Sequence, residues 1–262
     1  LEWPATGRGA GVDLGLKDRT VLVTGGSRGI GRAVALAFAG EGARVAVTYD
    51  TGAAAAREVA ALLGPQGLAL RHSLTDPQAP EETLRELHER WKGGPDVLVA
   101  GALRRTRRRA TGEHFEDVPP AEWTAFLDDN LVRTLRMVQL VLPGMRERGW
   151  GRVALISSHI AANGAAGQEF YGAAKAALHG LVRSLAWDVR EAEVLVNAVC
   201  PGLTLTEGVR SELPERVRAE AAARTPGGRL SRPEDIARTV LFLCSAANGN
   251  VSGQSITVDG GR

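Results

Sequence analysis

The chain of 262 residues contains little cysteine and almost no net charge. Its two cysteines, Cys200 and Cys244, lie in apolar segments and do not form a CxxC pair. This pattern argues against a disulfide framework or a zinc site, and it fits a reducing cytoplasm. The 32 basic residues are offset by 30 acidic ones, and the net charge of +2 excludes a protein devoted to binding nucleic acid.

Long apolar runs and a recognisable leader are also absent. No uncharged apolar stretch reaches the roughly 18 residues that a membrane-spanning helix needs, and the first residues are not a basic segment followed by an apolar one. Residues 1–15 begin with Leu1, are interrupted by glycine and proline, and show no periodicity. We expect them to be a linker or tag remnant, trimmed from a longer polypeptide, ahead of one domain over residues 16–262.

Lysine is scarce and arginine is abundant, for which GC-rich codon usage is the simplest explanation. Five arginines fall within six positions after the segment "DVLVAGAL". Such runs often contact nucleic acid or an anionic partner. Because the whole chain is nearly neutral, we interpret this run first as solvated charge on a loop. A contact with an anion or a partner comes second, and nucleic acid comes last. The five are Arg104, Arg105, Arg107, Arg108 and Arg109.

Apolar strands and amphipathic helices alternate along the chain from residue 20 onward. The strands are apolar throughout, which is typical of a parallel sheet covered by helices on both faces. Long helices are predicted over about 119–148 and 168–190. The sequence therefore predicts a single doubly wound α/β Rossmann domain with about seven parallel strands. The predicted strands cover residues 20–26, 44–50, 67–76, 96–100, 151–158, 194–202 and 254–260.

The segment "TGGSRGIG" (Thr24–Gly31) lies between the first strand and the first helix. Its glycines have the spacing GxxxGxG, which lets the backbone turn tightly and approach a pyrophosphate. The following helix presents free N–H groups and the positive end of its dipole. On the first strand of a βαβ unit, this loop predicts a dinucleotide site. The residues expected to contact the dinucleotide are Gly25, Ser27, Arg28, Gly29, Ile30 and Gly31.

Two residues bear on the choice of coenzyme. An acidic residue at the end of the second strand favours the free 2′-hydroxyl of NAD, whereas a nearby arginine favours the 2′-phosphate of NADP. The chain has Arg28 in the glycine loop and Asp50 after Tyr49, one position past the expected strand end. We therefore predict NADPH, with Arg28 contacting the phosphate, and rank NADH second.

The motif "YGAAK" places Tyr171 and Lys175 four residues apart, on one face of a predicted helix. A cation within about 4–6 Å lowers the pKa of a phenol, so Tyr171 is a candidate proton donor near neutral pH. Ser158 ends the fifth strand, at the edge of the sheet where ligands bind. The alternative is an incidental tyrosine and lysine on a surface helix, and the glycine loop and the order of elements argue against it.

Three further segments match a known family in order and spacing. They are "NAVCPG" (Asn197–Gly202), "RPEDIA" (Arg232–Ala237) and "VDGG" (Val258–Gly261). With the glycine loop and the YxxxK motif, they make residues 16–261 resemble a short-chain dehydrogenase/reductase of the ketoreductase type. The resemblance also implies a homotetramer built on the two long helices.

The resemblance implies roles for individual residues. Ser158 would hold the substrate carbonyl, Tyr171 would protonate its oxygen, and Lys175 would bind the nicotinamide ribose and tune Tyr171. Asn130, in "DDNL", matches a helix asparagine that supports a water-linked proton relay, and a plain backbone hydrogen bond is compatible with the same position. No metal is expected. The loop that closes over the nicotinamide is matched by Pro201, Gly202, Leu203, Thr204 and Thr206.

The polar segment 203–229 follows this loop and is the predicted substrate lid, with an ordinary surface excursion as the alternative. Two other stretches depart from the family pattern. Residues 100–103 read "AGAL" where the family usually has "NNAG", and Ser73–Leu74 replaces the usual aspartate. The first departure resembles reductases of aromatic polyketide pathways, particularly angucycline 6-ketoreductases. Coenzyme contacts are still assigned by position to Ser73, Leu74, Ala100, Gly101 and Ala102.

Three functional hypotheses follow. The first is an NADPH-dependent ketoreductase acting on a polycyclic aromatic polyketide, an angucyclinone-like intermediate of antibiotic biosynthesis. The second is a 3-oxoacyl-acyl-carrier-protein reductase, in which the arginines at 104–109 attract an acidic carrier protein. The third is a cofactor-sensing module without turnover, which the intact serine, tyrosine and lysine argue against. The expected partner is a small ketone substrate, with no nucleic acid and no membrane.

Overall fold

The computed structural model describes residues 12–105 and 108–262, which form a sheet of seven parallel strands. The strands are β1 (Thr20–Thr24), β2 (Arg44–Tyr49), β3 (Leu68–Arg71), β4 (Val97–Ala100), β5 (Gly151–Ile156), β6 (Val194–Pro201) and β7 (Ser255–Val258). Their order is β3-β2-β1-β4-β5-β6-β7. The order in which strands are added to the sheet thus reverses between β1 and β4, which opens a crevice at the carboxyl ends of these two strands. The predicted doubly wound fold is confirmed.

Both faces of the sheet are buried, which explains why the strands are apolar throughout. Along β1, Val21 and Val23 face one core and Leu22 faces the other, because successive side chains of a strand point to opposite faces. Leu22 lies opposite Leu98 of β4, and both belong to the second core. Each buried side chain of this size stabilises the fold by about 1.5–3 kcal/mol. The central strands therefore form a rigid frame for the crevice.

Helices cover the two faces of the sheet. The first core takes Phe38 from the helix after β1, and the second takes Leu87 and Met137 from helices on the other side. Within the described ranges, no helix combines the length and apolar character needed to cross a membrane. The helices are α1 (Gly29–Gly40), α2 (Ala53–Leu62), α3 (Ala79–Trp91), α4 (Pro120–Leu127), α5 (Arg133–Arg148), α6 (Ile160–Asn163), α7 (Glu169–Asp188), α8 (Glu207–Glu212), α9 (Glu215–Ala223) and α10 (Pro233–Leu243).

The long helix predicted over 119–148 is not continuous. A π-helical turn, Asp128–Val132, separates α4 from α5. The wider turn carries two buried polar side chains, Asp129 and Asn130. Asn130 Nδ2 donates to the carbonyl of Phe126, four residues earlier, at 3.0 Å. Apolar periodicity alone does not reveal such a turn, because the apolar face continues through it.

The N-terminal segment is described only from residue 12 onward, so most of the predicted tail lies outside the described residues. Leu14 packs against the first core, and its carbonyl accepts a hydrogen bond of 2.8 Å from the Ala246 N–H. The described end of this segment is therefore in contact with the body of the domain. The boundary at residue 16 stays a prediction.

Candidate active site

The glycine loop is closely packed against the turn after β4. Gly25 has a φ of +70°, and a Cβ built on it would lie 2.8 Å from the Cα of Ala102. A Cβ on Gly31 would lie 2.3 Å from the carbonyl oxygen of Gly25. Real Cβ atoms do not approach other atoms this closely, so both positions require glycine. The loop can take this compact form only with the predicted glycine spacing.

The first turn of α1 is open to a ligand. α1 begins at Gly29 without a side-chain cap, so no side chain of its own satisfies the first N–H groups. A Cβ built on Gly29 would lie 3.2 Å from the methyl group of Thr206, which faces the loop from the segment after β6. Ile30 packs its side chain against the first core, while Ser27 is only partly buried. These residues fit the pyrophosphate of a dinucleotide.

Two threonines that the sequence analysis missed brace this crevice. Thr24 Oγ1 accepts hydrogen bonds from the N–H groups of Gly101 and Ala102, both at 3.1 Å. Thr48 Oγ1 accepts a hydrogen bond of 3.0 Å from the Gly25 N–H. The end of β4 is thus held by a neighbouring strand although it lacks the asparagines that the family usually has there. The available signal was a threonine at the end of β1 and another next to the end of β2.

The residues predicted to contact the adenosine half of the coenzyme lie at the carboxyl edge of the sheet. Arg28 and Asp50 are exposed, and Asp50 directly follows β2. β2 pairs with β3, and Ser73 and Leu74 come just after β3. Leu74 is buried, whereas the Ser73 hydroxyl lies 3.0 Å from that of Thr75. The fold therefore gathers these positions at the carboxyl edge, and their contacts with a coenzyme remain predictions.

Ser158 and Tyr171 meet above the end of β5. The Ser158 hydroxyl accepts a hydrogen bond of 3.2 Å from the Ile160 N–H, which fixes its position. Burial raises the pKa of Tyr171 above its usual value, and the hydrogen bond with Ser158 and the charge of Arg105 oppose this shift. The expected lowering by Lys175 is therefore wrong in this structure, because burial dominates and the lysine is not among the causes. The phenol stays protonated across the neutral range.

Lys175 lies one turn further along α7 and is fully buried. Its Nζ donates a hydrogen bond of 2.8 Å to the carbonyl of Ile156, the last residue of β5. The same atom lies 5.9 Å from the centre of the Tyr171 ring. Burial lowers the pKa of Lys175 to about 8. The lysine is thus a cation at neutral pH that loses its proton in mildly alkaline solution.

The pH dependence of turnover is expected to follow this lysine. We predict that kcat/KM falls as the pH rises through about 8, because Lys175 is then losing its charge. Tyr171 does not cause this fall, since burial raises its pKa. A pH–rate profile between about pH 6 and 10 checks the prediction. A profile that stays flat through the mildly alkaline range contradicts it.

A polar cluster behind Lys175 was also missed by sequence reasoning. The Ser157 hydroxyl donates a hydrogen bond of 2.9 Å to the Lys175 carbonyl and lies 2.9 Å from His179 Nε2. The same imidazole nitrogen lies 3.3 Å from Cys200 Sγ. Burial raises the pKa of the Cys200 thiol and lowers the pKa of His179, so both groups are neutral near pH 7. The cluster fastens the middle of α7 to the ends of β5 and β6.

Asn130 braces the loop after β4. Its Oδ1 accepts a hydrogen bond of 2.8 Å from the Arg104 N–H, and its Nδ2 donates one of 3.1 Å to the Arg104 carbonyl. With the bond to the Phe126 carbonyl, the side chain is engaged with backbone on both sides. Asn130 therefore makes the kind of backbone hydrogen bond that is compatible with its position in the sequence. The role of Asn130 in a proton relay stays a prediction.

The loop after β6 begins beside Ser158 and ends at α8. The carbonyl of Pro201 accepts a hydrogen bond of 3.0 Å from the N–H of His159, the neighbour of Ser158. The Thr204 hydroxyl donates to the Gly202 carbonyl at 2.9 Å. Thr206 caps α8, because its hydroxyl accepts from the Val209 N–H. Leu203 is partly exposed between these anchors. The predicted lid segment therefore starts at the site and carries α8 and α9.

The arginine run does not form a free basic patch. Arg104 pairs with the buried Asp129 of the π-helical turn. Arg105 pairs with Glu212 at 2.5 Å, and Arg109 pairs with Glu169 at 2.7 Å. Arg108 is exposed, while Arg107 lies outside the described residues. Three of the five positive charges are thus neutralised by carboxylates of the same chain.

Known proteins resemble this chain over nearly its whole length. A family model described as Enoyl-(Acyl carrier protein) reductase matches residues 25–262. The 3-oxoacyl-(acyl-carrier-protein) reductase FabG of Vibrio cholerae is 34% identical over 250 residues, which covers 95% of this chain and 98% of the relative. The acetoacetyl-CoA reductase of Shinella zoogloeoides is 37% identical over 246 residues, with 93% and 98% covered. The 7alpha-hydroxysteroid dehydrogenase of Escherichia coli is 34% identical over 252 residues, with 95% and 96% covered.

The similarity extends to solved structures. The chain superposes on a short chain dehydrogenase/reductase family protein with a TM-score of 0.81 and 33% identity, covering 94% of this chain and 97% of that one. The chain therefore matches these known proteins in both sequence and fold, across the glycine loop, the sheet and the segment around Tyr171. The chain belongs to the short-chain dehydrogenase/reductase family and is an oxidoreductase acting on carbonyl or hydroxyl groups.

Proposed function

We propose that the protein is an NADPH-dependent ketoreductase that reduces a ketone to a secondary alcohol. The observation that carries this proposal is the convergence of Ser158, Tyr171 and Lys175 at the carboxyl edge of the sheet, where the glycine loop also lies. A proton donor, a hydroxyl and a buried cation beside a dinucleotide loop are the groups that carbonyl reduction requires.

The proposed chemistry needs only these side chains and the coenzyme. The bound nicotinamide supplies the hydride that adds to the carbonyl carbon. Ser158 donates a hydrogen bond to the carbonyl oxygen and holds it against Tyr171. Tyr171 then transfers its proton to that oxygen as negative charge develops there. Lys175 would bind the nicotinamide ribose, and it is a buried cation whose Nζ lies 5.9 Å from the centre of the Tyr171 ring.

The choice of NADPH rests on Arg28. This arginine is exposed at the start of α1, beside the crevice, and its guanidinium can bind a phosphate through two parallel hydrogen bonds. Asp50 is the opposing feature, because a carboxylate after β2 favours a free ribose hydroxyl. The arginine sits within the glycine loop itself, whereas Asp50 lies one residue past the strand.

Arg28→Ala is expected to weaken NADPH binding by at least about tenfold, the loss of one charge-assisted hydrogen-bonded contact. NADH binding should change much less, because NADH has no 2′-phosphate. Fluorescence titration of the purified variant with both coenzymes measures this difference without turnover. Arg190→Ala, at an exposed arginine between α7 and β6, serves as the control and should leave both affinities unchanged. Equal losses for NADPH and NADH would remove Arg28 as the phosphate contact.

We further propose a polycyclic aromatic ketone, an angucyclinone-like polyketide, as the substrate. Phe170, the residue before Tyr171, is flanked by two aromatic rings. Its ring lies 5.4 Å from that of Phe115 and 5.9 Å from that of Trp123, and both pairs are stacked. Phe115 is 55% exposed, so this aromatic group offers a face on which a planar ring system can stack. One relative is named for a polycyclic alcohol, a hydroxysteroid.

The alternative substrate is a 3-oxoacyl chain on a carrier protein, for which other relatives are named. The internal ion pairs of Arg104, Arg105 and Arg109 speak against a large basic docking surface. An assay with NADPH against tricyclic and tetracyclic ketones and against acyl-carrier substrates separates the two proposals. Reduction of the acyl-carrier substrates alone would favour the alternative. A cofactor-sensing module would bind coenzyme and reduce neither class.

A homotetramer remains part of the proposal. Trp187, near the end of α7, is 74% exposed, and Val132, just before α5, is 43% exposed. Both lie on the long helices on which the family resemblance places subunit contacts. Apolar side chains of this size in solvent are typical of surfaces that are covered in an assembly.

A further inference from the structure

Arg105 spans the mouth of the crevice from the loop after β4 to α8. Its Nη1 lies 2.5 Å and 2.7 Å from the two carboxylate oxygens of Glu212, at the end of α8. Its Nη2 would lie 3.6 Å from a Cβ built on Gly208, so the guanidinium rests against the body of that helix. Arg105 thus connects the fixed frame of the sheet with the predicted lid.

The pairing of Arg105 is weaker than that of its neighbours in the run. Arg104 is held by Asp129, whose side chain is only 9% exposed, and Arg109 is held by the partly buried Glu169. The side chains of Arg105 and Glu212 are 57% and 60% exposed. An ion pair between two exposed groups contributes little to stability, because water screens the charges. Another carboxylate can therefore replace Glu212 at little cost.

Arg105 also faces the catalytic group. Its positive charge lowers the pKa of Tyr171, against the larger effect of burial. The residue before it, Arg104, is fixed through its backbone by Asn130. The loop that carries Arg105 is therefore fixed by Asn130, and the charge of Arg105 acts on the tyrosine that must meet the ketone oxygen.

We propose that Arg105 is a specificity-determining residue that binds a carboxylate carried by the ketone substrate, in exchange for Glu212. This inference rests on the proposed ketoreductase function. One guanidinium nitrogen, Nη1, already contacts both oxygens of a carboxylate in Glu212.

The test uses two ketones that differ in charge and by one methyl group, a tetralone carboxylic acid and its methyl ester. Arg105→Ala should raise KM for the acid by about tenfold, the loss of one charged hydrogen-bonded pair, and leave KM for the ester within about twofold. Glu212→Gln removes the competing carboxylate and should lower KM for the acid only. Equal changes for acid and ester, or no change in the alanine variant, would overturn the inference.

A control variant addresses nonspecific effects of losing an exposed arginine. Arg190 pairs with Glu191 at the opposite edge of the sheet, with side-chain exposures of 63% and 84%. Arg190→Ala should leave both KM values unchanged. If it shifts the acid as strongly as Arg105→Ala does, general surface charge explains the effect and the inference is wrong.

A binding measurement separates this inference from the proposed function. Tyr171→Phe enzyme saturated with NADPH is titrated with the acid and the ester by calorimetry, with and without Arg105→Ala. Tighter binding of the acid that depends on Arg105 supports the inference even if the wild-type protein turns over no ketone. Binding of the acid that is unaffected by Arg105→Ala overturns the inference even if ketones are reduced.

Discussion

Tyr171→Phe is expected to lower kcat by about 10²–10⁴-fold, the usual contribution of a general acid. The phenylalanine ring keeps the packing of the partly buried tyrosine and loses only its hydroxyl group. Water is a weaker acid than a phenol, so it is a poor replacement for the missing proton donor. Coenzyme binding should persist, because the glycine loop and Lys175 are untouched.

Two measurements on the same variant check this prediction. Initial rates of NADPH oxidation with a ketone substrate report turnover, and a fluorescence titration reports coenzyme affinity. The thermal unfolding midpoint shows whether the variant is folded. Turnover at the wild-type rate would remove Tyr171 as the proton donor. The same result would disfavour the proposed mechanism as a whole, because the chain has only one other tyrosine, Tyr49.

Gly31→Ala is expected to weaken coenzyme binding by about tenfold to a hundredfold. The new methyl group would lie 2.3 Å from the carbonyl oxygen of Gly25 and 2.9 Å from its carbonyl carbon. Both contacts are with backbone, so the loop must shift away from the geometry that receives a pyrophosphate. Overpacking of this kind also lowers the free energy of unfolding by about 1–3 kcal/mol.

The matched control lies at the other end of the same helix. Gly40 ends α1, and a Cβ built there has no heavy atom within 4 Å. Gly40→Ala should leave coenzyme affinity unchanged and raise the free energy of unfolding by up to about 1 kcal/mol. Calorimetry and fluorescence titration of both variants measure these effects. If Gly31→Ala binds coenzyme as tightly as Gly40→Ala, the glycine loop is not the coenzyme site.

The fold was largely predictable because its signals are local. Strands such as Val97–Ala100 are apolar at every position, which is typical of strands buried on both faces. The interruption of the helix over 119–148 was not predictable, since the π-helical turn at Asp128–Val132 depends on hydrogen bonds to a distant loop. Most strand ends differed from the prediction by one or two residues, because the last residues of a strand turn into the loops of the site. The third strand, predicted over residues 67–76, was wrong by more, because β3 ends at Arg71.

The sequence by itself determined the order of strands and helices, the glycine spacing and the identity of Ser158, Tyr171 and Lys175 as candidates. These features depend on residues close together in the chain. Only the tertiary structure decided that burial, rather than Lys175, dominates the pKa of Tyr171. It also decided that Arg105 pairs with Glu212, 107 residues away. Desolvation and long-range ion pairs depend on what surrounds a group in space, and that is set only when the chain has folded.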